Sequence, residues 1–259
     1  MVRTRLNERM KQRLDKLLVE RGLAASRERA QALVLAGRVL VDEQKVDKPG
    51  HSVAAEASLR LLGEDPKFVG RGGLKLEHAL LTWAIDVRSM ACADIGASTG
   101  GFTDCMLQRG AASVLAVDTG YGQLAHKLRV DERVSLMERT NARLLTPGQL
   151  ATHGVQFFAM DVSFISATLV LPAVLAAFAD EGVSWLGDGV VLVKPQFEAG
   201  RENVGKGGIV RDPEAQQYAV ERVREAVQAI GGHALAVMDS PILGMEGNRE
   251  FLLHARFGR

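Results

Sequence analysis

The segment Asp94-Ile95-Gly96-Ala97-Ser98-Thr99-Gly100-Gly101-Phe102 closes a short apolar run at 91–95 and opens an amphipathic stretch at 102–109. Glycines at such a place let the backbone turn tightly and approach another group without a Cβ in the way. From Arg71 onward the chain repeats this passage from strand to helix. The periodicity predicts strands over 91–95, 113–117, 134–137, 157–161, 190–193, 234–238 and 251–254. Helices are predicted over 74–84, 102–109, 166–179 and 213–230. The fold class that follows is α/β, a doubly wound and mostly parallel seven-stranded sheet covered on both faces. Its last strand is expected to insert antiparallel beside the fifth.

The first sixty residues follow a different pattern. Leu14, Leu17 and Leu18 fall at helical spacing, and Gly22 ends that helix. Ser26 can cap a second helix with Ala30, Leu33 and Val34 on its apolar face and Gly37 at its end. Short strands are predicted at 39–41, 45–46 and 59–62. The chain therefore divides into a small α+β domain with a basic extension (1–63), a linker (64–70) and the sheet domain (71–259). Residues 1–29 carry nine basic and four acidic side chains, whereas the whole chain sums to only +1. A charge asymmetry of this kind points to an acidic partner for the first domain, although a solvated helical face would read the same way.

Hydrophobic residues at 47% and charged residues at 24% exclude a disordered chain. Two cysteines, Cys92 and Cys105, suit a reducing compartment and make no disulfide framework. The histidines lack ligand spacing, so no metal is expected. The apolar stretch 167–179 is too short to span a bilayer and contains Pro172, so no membrane partner is expected. A cytoplasmic protein is the expectation.

Asp118 ends the second predicted strand, where a carboxylate can accept from the hydroxyls of an adenosine ribose. The turn lacks the Gly-x-Gly-x-x-Gly spacing that suits a pyrophosphate, and Asp94 would repel phosphate while tolerating a cationic sulfonium. S-adenosylmethionine is thus favoured over a dinucleotide, within the Rossmann-like fold of class I methyltransferases. The bland alternative is a glycine turn that merely packs strand on helix. Gly96-Ala97-Ser98-Thr99-Gly100 also imitates a hydrolase nucleophile elbow, but that elbow needs several strands upstream. Gly200 to Lys206 imitates a phosphate-binding loop, but Gly207 stands where a magnesium-ligating hydroxyl belongs.

Lys75, Asp161, Lys194 and Glu250 are expected to converge. Asp161 and Lys194 end the fourth and fifth strands, and Glu250 begins an antiparallel last strand at the same edge, where open α/β sheets bind ligands. Lys75 would close the cleft from the side. Such a set suits methyl transfer to a sugar hydroxyl, a weak nucleophile that must lose its proton as it attacks. In this reading Lys194 assists deprotonation, Asp161 lies beside it, Lys75 flanks it and Glu250 fixes its orientation. Taken singly, each of the four reads more simply as a salt-bridge residue. The loop from Gly200 to Arg211, with Arg201, Lys206 and Arg211, suits contact with a phosphate backbone.

These residues carry a resemblance. The segments Arg71-Gly72-Gly73-Leu74-Lys75-Leu76, 94–102, Glu138-Arg139-Thr140-Asn141-Ala142-Arg143, 160–166, Val193-Lys194-Pro195-Gln196-Phe197-Glu198 and Gly247-Asn248-Arg249-Glu250-Phe251 resemble the TlyA, or haemolysin A, group. That group comprises ribosomal RNA 2′-O-methyltransferases with an FtsJ-like catalytic domain. Residues 13–62 resemble its S4-type (αL) RNA-binding domain. The resemblance implies that Lys75, Asp161, Lys194 and Glu250 form the catalytic tetrad. It implies a cofactor pocket drawn from Asp94, Gly96, Ala97, Ser98, Thr99, Gly100, Gly101, Phe102, Asp118, Asn141 and Asp161. Arg13, Lys16, Arg27, Arg29 and Arg38, with Arg201 and Lys206, become the expected RNA contacts. The partner implied is rRNA or a ribosomal subunit, with cytidine ribose in large-subunit RNA as target and small-subunit RNA as a second one in some members. A non-catalytic RNA-binding or ribosome-assembly factor is the alternative from another class, and the intact tetrad argues against it. Base methylation would call for a stacking aromatic beside an Asn/Asp-Pro motif, which 160–163 does not offer.

Overall fold

A computed structural model describes residues 11–24, 26–63, 66–179 and 183–258. Arg3, Arg5 and Arg9 of the basic extension lie outside them. The chain separates into two compact units, 1–65 and 66–259.

In the first unit β1 (Lys11–Arg13) leads into α1 (Leu14–Glu20) and α2 (Arg27–Leu35). Then come β2 (Val39–Val41), β3 (Gln44–Lys45), β4 (Ser52–Ala54) and β5 (Leu59–Leu61). Leu14, Leu17 and Leu18 of α1 pack with Ala30, Leu33 and Val34 of α2, and Val39 and Val53 complete this core. Ser26 caps α2 as expected, its Oγ accepting from the Arg29 N–H at 3.2 Å. Asp42 and Glu43 both adopt positive φ, 48° and 64°, which is the twist a two-residue β2–β3 hairpin requires. Two strands were not anticipated, β1 and β4, which pair with each other.

The second unit contains α3 (Gly72–Thr82), β6 (Ala91–Ile95), α4 (Gly101–Gln108), β7 (Ser113–Val117), α5 (His126–Arg129), β8 (Val134–Met137) and β9 (Phe157–Met160). These are followed by α6 (Ala167–Phe178), β10 (Gly187–Val193), α7 (Pro195–Glu198), α8 (Pro213–Ala229), β11 (Gly232–Asp239) and β12 (Phe251–Phe257). The sheet order is β11-β12-β10-β9-β6-β7-β8. Strand β12 runs antiparallel between β10 and β11, and the β10, β9, β6, β7 and β8 neighbours pair in parallel. Side chains alternate across the sheet, so Ala93, Ile95, Phe158 and Met160 pack under α6 and α8. Cys92, Val114, Phe157 and Ala159 pack under α3 and α4 on the other face. Residues 66–70, read from sequence as connecting chain, lie in this second unit. Phe68 is buried in its core, and the Val69 N–H donates to Asp104 at 2.8 Å.

Candidate active site

The parallel strands end in step. The N–H of Gly96 donates to Val117 O at 2.8 Å, that of Asp118 to Met137 O at 3.0 Å, and that of Asp161 to Ile95 O at 2.9 Å. Val193 at the end of β10 pairs with Phe251 at the start of β12. Lys194 and Glu250 each stand one residue beyond that pair, so both lie at the edge where Gly96, Asp118 and Asp161 emerge.

The four ionisable residues gather there as two ion pairs. Lys194 Nζ lies 2.5 Å from Asp161 Oδ1 and donates to Ser163 Oγ at 2.7 Å. Lys75 Nζ lies 2.5 Å from Glu250 Oε2, with both side chains buried. Glu250 therefore holds Lys75 and does not orient Lys194, which corrects the sequence expectation; Asp161 and Ser163 take that role. Helix α3 joins the two pairs. It carries Lys75 one turn from its start, where a Cβ on Gly72 would stand 3.9 Å from Asp161 Oδ2. A helix amino end favours a carboxylate at that place.

Two positions around the turn after β6 allow little besides glycine. Gly96 has φ +90°, and a Cβ there would lie 2.3 Å from the Asp161 carbonyl oxygen. At Gly101 a Cβ would stand 3.0 Å from Gly73 N and 3.1 Å from Gly70 O, so α4 starts in contact with the start of α3. Ala97, Gly100 and Phe102 are buried while Ser98 and Thr99 are exposed.

Asp94 is fully buried rather than facing the turn as a free charge. Its Oδ2 accepts from Thr103 N at 2.8 Å and Thr103 Oγ at 2.6 Å. Its Oδ1 is buried and has no hydrogen-bond partner among the described residues. Burial pushes this carboxyl up to about 7, the Thr103 hydrogen bonds opposing. Asp118 accepts from Ser98 N at 2.7 Å through Oδ2 and from Gly120 N at 2.6 Å through Oδ1. Asn141 is exposed and caps the turn 142–144 through Arg143 N.

The expected RNA contacts divide. Arg13 Nη2 and Arg27 Nε lie 2.8 Å and 2.9 Å from Asp15 Oδ2, which is buried between them. Lys16 is exposed, and Arg29 is partly buried on α2. Arg38 donates to the carbonyls of Leu62 and Gly63, so its guanidinium serves the fold of the first unit. In the second unit Arg201 and Lys206 are exposed.

Sequence reasoning overlooked Ser163 and Phe164. Phe164 is 93% exposed, has φ +64° and lies 5.5 Å from the Phe197 ring. A bulky residue held in the left-handed region at the mouth of a site is a signal that only backbone geometry carries. A cavity of about 1100 Å³ lies elsewhere. It adjoins Trp185 and Phe257 at the opposite sheet edge, and none of the described residues that line it is ionisable.

A family model described as FtsJ-like methyltransferase matches residues 68–257, and one for the S4 domain matches residues 12–58. The chain belongs to the FtsJ-like methyltransferase family. Among its relatives, the 16S/23S rRNA (cytidine-2′-O)-methyltransferase TlyA of Mycobacterium tuberculosis is 44% identical, over 94% of this chain and 89% of that protein. Hemolysin A of Brachyspira hyodysenteriae is 38% identical, over 93% and 98%. A solved Streptococcus thermophilus structure, provisionally named a hemolysin, superposes with TM-score 0.71 at 44% identity, covering 96% of this chain and 89% of that one. An S-adenosylmethionine-dependent methyltransferase from Mesorhizobium loti shares the fold alone, at 15% identity and TM-score 0.51, over 72% of this chain and all of that one.

The cofactor of this FtsJ-like chain is S-adenosylmethionine, and the turn has features that suit it. Each Asp118 oxygen that holds a backbone N–H keeps a second lone pair for a ribose hydroxyl. Gly96 lets the turn close against the Asp161 carbonyl, and the buried, unpaired Asp94 Oδ1 is a polar atom that a bound group can satisfy. When bound, the cofactor supplies a methyl group carried on a positively charged sulfur.

Proposed function

We propose that the chain methylates a ribose 2′-hydroxyl of ribosomal RNA, with a cytidine of the large subunit as the target. The observation that carries this reading is Lys194. Its Nζ is held between Asp161 and Ser163 at the sheet edge beside the cofactor turn. A sugar hydroxyl acts as a nucleophile only as its proton departs. Lys194 Nζ is placed to take that proton, and Asp161 to compensate the charge on the ammonium that forms. Lys75 and Glu250 form the second pair of the tetrad and serve the reaction as well as the placing of α3 beside Asp161.

The names of the relatives support rRNA as substrate and cytidine 2′-O as the methylated atom. Relatives named for one subunit and for both are similar to this chain, and large-subunit RNA is common to the two. The S4 unit would grip RNA through Arg13, Lys16 and Arg27, and the Arg201–Lys206 loop would contact the backbone nearer the chemistry.

The test is a target RNA with a single 2′-deoxy nucleotide at the modified position, offered with labelled cofactor. It should bind as the parent RNA does and take up no label. Label incorporated into that RNA would show base methylation and overturn the ribose assignment.

A further inference from the structure

Glu198 is a buried carboxylate that the chemistry proposed above leaves unused. It ends α7, the single turn that follows Lys194, and is 1% exposed. Its Oε2 accepts from Ser166 Oγ at 2.5 Å and its Oε1 from Ala167 N at 2.7 Å. Ser166 is the N-cap of α6, so a side chain from another segment closes the amino end of that helix. A helix of twelve residues presents its unpaired N–H groups and the positive end of its dipole there. Burial pushes the Glu198 carboxyl up, while the bonds from Ser166 and Ala167 and the nearby Arg222 oppose the shift. Arg222 of α8 also donates to the Glu198 carbonyl at 2.7 Å, which anchors α7 from below.

The segment that Glu198 holds by its far end is the one that carries Asp161, Ser163 and Phe164. Lys194 grips its near end through Asp161 and Ser163, and the Phe164 and Phe197 rings meet between the two. Two loops that leave neighbouring parallel strands are thus tied at three points. We infer that Glu198 is a positioning residue, bracing the 161–166 loop against α7 so that Lys194, Asp161 and Ser163 hold one geometry. This rests on the methyl-transfer reading, because that reading is what makes the geometry matter.

The variant Glu198→Ala removes both bonds. Glu198→Gln can keep both, with its amide oxygen on Ala167 N and its NH₂ donating to Ser166 Oγ. In the full chain, with large-subunit rRNA from cells lacking the protein, Glu198→Ala should slow single-turnover methyl transfer by at least 30-fold. Affinities for S-adenosylmethionine and for RNA should stay within threefold of the parent, and Glu198→Gln should restore the rate to within about fivefold. Amide hydrogen exchange over 162–168 should quicken in Glu198→Ala while exchange over 94–102 does not. A folded Glu198→Ala protein that transfers methyl at the parent rate overturns the inference. So does a loss of cofactor affinity parallel to the loss of rate, or a Glu198→Gln variant as slow as Glu198→Ala. If Glu198→Ala does not fold, Ser166→Ala decides the matter: a rate at least fivefold lower supports the brace, and the parent rate overturns it. If the parent protein transfers no methyl group to any ribose, the reaction itself falls. Exchange over 162–168 then still separates a brace, which Glu198→Ala quickens, from no brace, which it leaves unchanged.

Discussion

Lys75 and Glu250 stand 175 residues apart in the chain, and their side chains meet at 2.5 Å in the interior of the second unit. Removing one partner of a buried pair leaves the other charge without compensation, which costs about 3–5 kcal/mol. Lys75→Met should therefore lower the unfolding midpoint in urea markedly. The double variant Lys75→Met/Glu250→Leu should recover most of that stability yet remain inactive. A double variant that regains methyl transfer would reduce the pair to a structural strut.

Lys194→Ala should lower turnover by about 10²- to 10⁴-fold, the range of a lost acid–base group, and leave cofactor affinity nearly intact. Lys194→Arg should fail as well, because a guanidinium gives up no proton near neutral pH. Rates from labelled cofactor, set beside calorimetric affinities, check both. Substantial activity in the arginine variant would remove Lys194 from proton transfer.

Asp118→Ala removes a charged acceptor and also frees Ser98 N and Gly120 N. S-adenosylmethionine binding should weaken by about 2 kcal/mol, or roughly 30-fold. Calorimetry that returned the parent affinity would displace the adenosine ribose from this carboxylate.

Asp94 gives a pH signature of unusual sign. Burial pushes its carboxyl up to about 7 in the folded chain, from 3.8 in an exposed setting. Between those values the unfolded chain has released a proton that the folded chain keeps. Asp94 therefore makes stability fall as pH rises from about 4 to about 7. Asp94→Asn, which can still accept from Thr103, should flatten this part of the profile in urea unfolding measured at a series of pH values. Equal slopes for variant and parent would show that Asp94 is ionised in the folded protein.

In the first unit, Lys16→Ala and Arg27→Ala should each weaken RNA binding across sequences. Each should also reduce the slope of log affinity against log salt by a little under one, the change expected when a single cation no longer neutralises a phosphate. Asp15→Asn loosens Arg13 and Arg27 together and should reduce the slope by more than either single change. An unaltered slope in all three would move the RNA-binding surface to another face.

Much of the fold was legible because its strands are short, mostly apolar runs between turn residues. Strands 91–95, 113–117 and 134–137 have the bounds their residues predicted, and Ser26 and Gly37 bracket α2 as their chemistry requires. Lys11–Arg13 and Ser52–Ala54 carry no such pattern, and they are strands because each supplies the other's hydrogen bonds. At the site, the convergence of Lys75, Asp161, Lys194 and Glu250 followed from strand order. Their pairing did not, because which carboxylate faces which lysine depends on the path of α3 over the sheet. Nor could the residues tell that Asp94 turns inward to Thr103, or that Glu198 reaches back to α6. Both depend on helix ends that become neighbours only in the folded chain.

The placing of β12 bears on the order of events during synthesis. It fills a gap between β10 and β11, strands already made, and it brings Glu250 to a lysine made long before. Chains fold from the amino end as they emerge, so the first unit can form while the sheet still lacks an inner strand. The first unit can thus be folded before the site of the second is complete. Only when β12 has emerged can Lys75 gain its counter-charge, so this buried pair is among the last parts of the second unit to form.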